Sequence, residues 1–196
     1  MTGRNDMRIA VLCGTVALAV LAAATPDAKA QGLSGRNAIV QVNKKGKGKI
    51  VFLAKDAAIQ APSSPEGALL ELCSPTGGVG SLDLPVENWV VKPSGAAKYL
   101  VKGKPEGVKT ALVKPGKTLK IVGSSIGGLD MTAPLGSLGV RLTIGSLVQC
   151  ALFTGEAVRK DDAGKFSGKQ AAAPADCSDA TLGCTPLGSP SGAFLR

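Results

Sequence analysis

Histidine is absent from this chain of 196 residues, and aromatic residues are scarce. Without histidine there is no Ser-His or Cys-His catalytic pair and no histidine-ligated metal site. Aromatic residues make up 3% of the chain, which leaves few side chains on which nucleic-acid bases could stack. The composition therefore argues against large classes of hydrolases, metalloenzymes and nucleic-acid-binding proteins.

Long hydrophobic runs are also lacking. The longest run, residues 9–24, is shorter than the roughly 20 residues of a transmembrane helix, which argues against a membrane anchor. It follows two arginines and precedes the small-x-small triplet at 28–30, the arrangement of a secretory signal peptide. We predict a signal peptide over residues 1–30, cleaved after Ala30. The mature protein, without a membrane span, is then secreted, periplasmic or on the cell surface.

The remaining chain has the length of one domain. Residues 31–48 are polar and basic without clear periodicity, so we predict a flexible lead-in there. A domain over 49–177 and an irregular, partly disordered tail over 178–196 follow. Either Met1 or Met7 is the start of translation.

Short apolar runs bounded by Gly, Pro, Ser and Asp succeed each other from Lys49 onward. Val140, Leu142 and Ile144 alternate with polar residues, as in a strand with one buried face. No stretch after Gln31 keeps a helical period for three turns. This pattern predicts an all-β fold, an antiparallel β-sandwich (jelly-roll or Ig-like) of about nine or ten short strands. The predicted strands are 49–56, 67–74, 81–85, 88–92, 98–103, 108–114, 117–123, 129–134, 139–146 and 147–153.

Four cysteines follow the predicted signal peptide: Cys73, Cys150, Cys177 and Cys184. An even number in an exported chain favours two disulfides. Four cysteines allow three pairings, and their spacing does not choose among them. A structural zinc site is the alternative, but no two of these cysteines have the close spacing that zinc sites use.

Six segments of this chain share a recognisable order. They are SLDLPVENW (81–89), KYLVKG (98–103), VKTALVKPGKTLKIVG (108–123), GVRLTI (139–144), VQCALFTG (148–155) and KDDAGKFSGKQAAAPADC (160–177). Their order resembles that of an uncharacterised all-β module of secreted proteins from environmental bacteria. The landmarks of that module are an LPxxxW segment, a Lys-rich hairpin and an ending of the form C-x-x-F-x-G … A-P-A-x-C.

The resemblance implies a secreted all-β domain with no known activity. It also implies that Cys150 pairs with Cys177, which leaves Cys73 and Cys184 for a second bond. This chain departs from the module at Gln149, where an aromatic residue is usual.

Lysine is abundant, since the net charge is +9 and lysines outnumber arginines 17 to 6. Four lysines lie within 43–49. We hypothesise that these four lysines and a second group form one cationic face, which attracts anionic polymers such as lipopolysaccharide, teichoic acid or extracellular DNA. The preference for Lys over Arg argues against specific nucleic-acid recognition. Alternatively, the lysines protect sheet edges and maintain solubility. The second group is Lys98, Lys102, Lys104, Lys109, Lys114, Lys117 and Lys120.

Other candidate sites have structural alternatives. Asp161 and Asp162 could begin a calcium loop, but a solvated turn with Gly164 at positive φ fits the residues better. Trp89 and Tyr99 could stack on a sugar, although a lone Trp in a sandwich is typical of the core.

A glycosidase would need two acids close together, and the sequence offers only Asp83 with Glu87, or Asp130 with Glu156. The serine-containing segments lack the flanking residues of known nucleophile or phosphate-binding motifs.

We therefore expect an exported, non-catalytic module with a structural or adhesive role and no cofactor. The first alternative is a module that binds an anionic polysaccharide or other envelope polymer through the lysines. A secreted hydrolase is the second.

Overall fold

Two β-sheets packed face to face make up the fold, which a computed structural model describes for residues 29–103 and 106–184. The predicted all-β sandwich is confirmed. The described residues also form three short helices: 3-10 helices at Val86–Asn88 and Gly155–Ala157, and, after the last strand, α1 at Asp179–Leu182. In chain order the strands are β1 Lys29–Gly32, β2 Gly35–Val42, β3 Gly48–Ala54, β4 Ala68–Cys73, β5 Gly80–Leu84, β6 Trp89–Val91, β7 Ala97–Leu100, β8 Gly107–Lys114, β9 Thr118–Ile126, β10 Leu138–Ile144, β11 Leu147–Phe153, β12 Val158–Asp162 and β13 Lys165–Ala171.

The larger sheet has eight strands in the order β12-β13-β2-β3-β9-β8-β7-β6, and the smaller has five in the order β1-β11-β10-β4-β5. Strand β1 pairs with β11 in parallel, and the other neighbouring strands are antiparallel. The described residues thus hold thirteen strands, more than the nine or ten predicted.

Aromatic packing joins the sheets at their centre. The rings of Phe52 on β3 and Phe153 on β11 meet edge to face, with centroids 6.3 Å apart. A Cβ at Gly168 would lie 2.6 Å from the Phe153 ring, and one at Gly35 would lie 2.4 Å from it. These two glycines therefore let the ring rest directly on the backbone of the larger sheet.

We predict that Gly168→Ala lowers the free energy of unfolding by about 1–3 kcal/mol, because the added methyl group overpacks the core. Urea unfolding measures this loss. Phe153→Leu should recover part of it in the double variant, since the smaller side chain vacates the space. Gly127→Ala is the control, because a Cβ there meets nothing within 4 Å. An equal cost at positions 127 and 168 would contradict the packing argument.

The prediction of a flexible lead-in over 31–48 is wrong for most of that range. Residues 35–42 form β2, which lies between β13 and β3. Ala38 and Val40 point into the core, while Ile39 faces outward and is half-buried. This outward aliphatic residue hides the alternation in the sequence. Lys29 and Ala30 form the first half of β1, so the predicted cleavage would leave Gln31 and Gly32 paired with β11. Residues 1–28 of the predicted signal peptide lie outside the described residues.

The predicted strand at 129–134 is a loop, in which one isolated β-bridge pairs Asp130 with Val79. Gly128 adopts φ 74°, which ends the preceding extended segment. The Asp130 carboxylate then accepts a hydrogen bond from the backbone N–H of Thr132 at 3.1 Å and closes a local turn. Side-chain bonding of this kind competes with strand pairing.

Two disulfides fix the C-terminal segment to the outer surface of the smaller sheet. Cys150 is bonded to Cys177 and Cys73 to Cys184. The predicted irregular tail contains helix α1, whose Ser178 side chain accepts a hydrogen bond from the Thr181 N–H. The part of the predicted tail after Cys184 lies outside the described residues.

A cluster of charged side chains also holds the C-terminal segment against the smaller sheet. The Arg141 guanidinium donates to both carboxylate oxygens of Glu71, at 2.7 and 2.9 Å, and to Asp179 at 2.6 Å. Hydrogen bonding to Glu71 raises the pKa of Arg141 above its ordinary value. Gly139 on β10 lets helix α1 approach the sheet closely, because a Cβ at this position would lie 2.7 Å from the carbonyl oxygen of Leu182.

We predict that both disulfides stabilise the fold, and that Cys73–Cys184 contributes more. The bonds span 111 and 27 residues, for which the chain-entropy model gives about 4.8 and about 3.5 kcal/mol. Urea unfolding of Cys73→Ser/Cys184→Ser and of Cys150→Ser/Cys177→Ser measures each contribution. Unchanged stability in either double variant would contradict this account.

Candidate functional site

Lysines gather on the outer surface of the eight-stranded sheet. We define the lysine face as seven lysines that project from strands β3, β7, β8, β9 and β13 or directly follow β7. The inward neighbours of these strand lysines, such as Ile50 and Ile121, are buried in the core. Because side chains alternate along a strand, the lysines face away from the core. The members are Lys49, Lys98, Lys102, Lys114, Lys120, Lys165 and Lys169.

Strand register sets lysines and aliphatic side chains side by side. Leu112 on β8 lies opposite both Lys98 on β7 and Lys120 on β9. Two strand spacings therefore separate Lys98 and Lys120, a distance of about 10 Å. The row continues beyond Lys120 to Leu53 and beyond Lys98 to Val90. The surface is thus an array of ammonium groups separated by aliphatic side chains.

Negative charge is missing from this array. The outward positions of β13, β2, β3, β9, β8 and β7 include no Asp or Glu. Acids occur at its border: Lys47 in the β2–β3 turn donates to Glu106 at 2.7 Å, and this hydrogen bond lowers the pKa of the Glu106 carboxyl. On the edge strand β12, Lys160 pairs with Asp162 at 2.7 Å. The lysine face therefore carries a concentrated positive potential.

The structure brings together four of the seven lysines predicted in the second group: Lys98, Lys102, Lys114 and Lys120. Lys109 lies at a β-bulge and Lys117 in the β8–β9 turn. Lys104 lies outside the described residues. From the first group, Lys49 joins the face, whereas Lys44, Lys45 and Lys47 occupy a turn.

Lys165 and Lys169 on β13 were not predicted as members of the cationic face. Their signal was the spacing in KFSGK, where buried Phe166 and Gly168 alternate with outward residues. A single Phe and a Gly do not show, from the sequence alone, which residues of this segment face outward.

Protection of sheet edges does not explain the lysine face. Lys120 lies on β9, between β3 and β8, and Lys49 lies on β3, between β2 and β9. Both are internal strands whose backbone groups are paired on both sides. The edge strand β6 carries no lysine.

The remaining candidates have structural roles. Trp89 and Tyr99 are core residues, each 4% exposed, with ring centroids 5.4 Å apart. The Trp89 indole donates to the Leu84 carbonyl at 3.3 Å, and burial raises the pKa of Tyr99. Asp161 accepts hydrogen bonds from the N–H groups of Leu135 and Gly136, at 2.8 and 2.7 Å. It therefore fixes a loop.

Asp83 and Glu87, one of the two candidate acid pairs, line different cavities. Asp83 lines a cavity beside Thr143, whereas Glu87 lines a separate groove beside Lys98. Among residues 29–103 and 106–184, no three His, Cys, Asp or Glu side chains are grouped closely enough to hold a metal ion. The expected turn at 161–164 is present, with Gly164 at φ 76°.

Within the same described ranges, no helix has the length and hydropathy of a membrane span. No protein-family model matches the chain, and comparison with curated proteins and with solved structures finds no similar protein.

We predict that the ammonium groups of the lysine face repel one another and destabilise the fold when no polyanion is bound. Raising the ionic strength from about 0.01 M to about 0.15 M shortens the Debye length from roughly 30 Å to roughly 8 Å and should raise the melting temperature. Each lysine pair about 10 Å apart contributes about 0.4 kcal/mol of repulsion in water. Lys98→Gln/Lys120→Gln should therefore melt higher at low salt and respond less to added salt. Lys44→Gln/Lys45→Gln, which removes two charges from the β2–β3 turn, is the control. A salt response of this control equal to that of Lys98→Gln/Lys120→Gln would contradict the prediction.

Proposed function

We propose that the protein is an exported, non-catalytic adhesive module that binds an anionic polysaccharide or other anionic polymer of the cell envelope. The observation that carries this proposal is the lysine face: a wide sheet surface with seven lysines, whose outward strand positions from β13 to β7 include no acid. An extended polyanion can contact many of these lysines at once. Affinity then comes from counterion release and depends steeply on salt.

The shape of the surface supports a polymer rather than a small anion. Lysines separated by aliphatic side chains offer no convergent cradle around one group. Each ammonium is a flexible point charge without the fixed fork of arginine. The module therefore selects a polymer by its charge density and extended form rather than by its exact chemical structure. Such broad selectivity is suitable for adhesion.

Export is part of the proposal. Two disulfides fit an oxidising compartment outside the cytoplasm. The basic N-terminus, the apolar run at 9–24 and the small-x-small triplet at 28–30 support a signal peptide cleaved after Ala30. Anionic envelope polymers are accessible to a protein in this location.

We predict that removal of three central charges weakens polymer binding and flattens its salt dependence. In Lys98→Gln/Lys114→Gln/Lys120→Gln, the slope of log affinity against log salt should fall in magnitude by about 2–3, because each lost contact contributes about 0.7–0.9. Calorimetric titration with polygalacturonate, an acidic polysaccharide, measures affinity at several salt concentrations.

Lys44→Gln/Lys45→Gln/Lys55→Gln is the matched control, since it removes the same net charge outside the lysine face. It should retain most of the wild-type slope. Equal losses in the two triple variants would show that net charge alone governs binding and would overturn the proposed site. Absence of polygalacturonate binding at low salt would overturn the function.

A further inference from the structure

An apolar groove lies at one end of the lysine face, where β6 and β7 pair. Its floor includes Val90, which is 59% exposed, and Leu100, which is 40% exposed. The groove encloses about 480 Å³, a volume typical of sites for small ligands. Three lysines, Lys92, Lys98 and Lys102, also line it.

Packing within the fold does not require these two aliphatic residues. Their neighbours Trp89 and Tyr99 point inward and fill the core, whereas Val90 and Leu100 point outward. An aliphatic residue exposed on a short edge strand invites association, and proteins usually avoid it. Val90 and Leu100 are two of the three large hydrophobic residues exposed in the described part of the chain.

The apolar surface continues from the groove beneath the lysines. Leu100 lies opposite Thr110, Thr110 lies opposite Val122, and Val122 lies opposite Val51, each on the next strand. Val51 and Val122 are half-buried. A ligand that enters at Val90 and Leu100 therefore finds aliphatic contact along the sheet and ammonium groups on either side.

We propose that this groove takes the acyl chain of an anionic lipid whose phosphate headgroup pairs with Lys98 and Lys102. A polar polyanion neutralises the lysines but leaves Val90 and Leu100 in water, whereas a phosphate-bearing amphiphile covers both kinds of surface. Among the described residues that line the groove, Glu87 is the one acid and three are lysines, so the balance of charge favours an anion. The inference rests on the proposed function, since the same lysine face supplies the charge, and it adds a membrane lipid as a second anionic partner.

The test compares two probes that share a headgroup: dihexanoyl-phosphatidylglycerol below its micelle concentration, and glycerophosphoglycerol, its deacylated form. Calorimetric titration of the full chain should show binding of the lipid at least about tenfold tighter than binding of glycerophosphoglycerol, because burial of methylene groups adds affinity. In Val90→Ser/Leu100→Ser, this preference should fall about tenfold, while polygalacturonate affinity stays at the wild-type value.

Val86→Ser is the matched control, because Val86 is 47% exposed on the adjacent 3-10 helix but does not line the groove. It should leave the lipid preference unchanged. Every variant retains the apolar segment at 9–24, so any lipid preference due to that segment is a constant background, and the readout is the change in preference between wild type and variant. Melting curves verify folding, and Leu100→Gln alone provides the same comparison if the double variant fails to fold.

Equal affinity of the wild type for the two probes would overturn the lipid inference, as would an undiminished lipid preference in Val90→Ser/Leu100→Ser. Intact polygalacturonate binding in either case would leave the proposed function standing. If the wild type binds neither polygalacturonate nor the lipid, both the proposed function and the lipid inference are overturned. Lys98→Gln/Lys102→Gln should lower the affinity for both probes by the same factor. Unchanged affinity for both probes in this variant would also contradict the inference.

Discussion

Burial of one face of each sheet is the constraint on which the structure depends. Phe153 from the smaller sheet rests on Gly35 and Gly168 of the larger sheet and meets Phe52 edge to face. A shift of one residue in any of these strands would turn its whole apolar set toward water. The core therefore fixes the register, and the register decides which side chains face outward.

The lysine face is a consequence of that register. Lys98 and Lys120 are brought to the same row because Ala97, Tyr99, Leu119 and Ile121 must point inward. The opposite surface of the molecule is different in chemistry, since the C-terminal segment covers it and Arg141 is neutralised by Glu71 and Asp179. The fold thus separates a structural surface, closed by disulfides, from an open cationic one.

The sequence was sufficient for the fold class and for most strands, because alternation such as that of Val140, Leu142 and Ile144 reports directly on a half-buried strand. It was insufficient for β2, where outward Ile39 breaks the alternation. Candidate lysines could be found by density, but density does not distinguish Lys120 on a strand from Lys117 in a turn. The groove at Val90 and Leu100 depends on strand pairing across the sheet, and no local pattern encodes it.

The central claim is that one sheet surface contacts the polyanion. Lysine acetylation, with mass spectrometry of each site, tests it most directly when rates are compared with and without polygalacturonate. The account predicts slower modification of Lys98, Lys114 and Lys120, and unchanged modification of exposed Lys55 and Lys160. Uniform protection of all lysines, or stronger protection of Lys55 and Lys160, would contradict it.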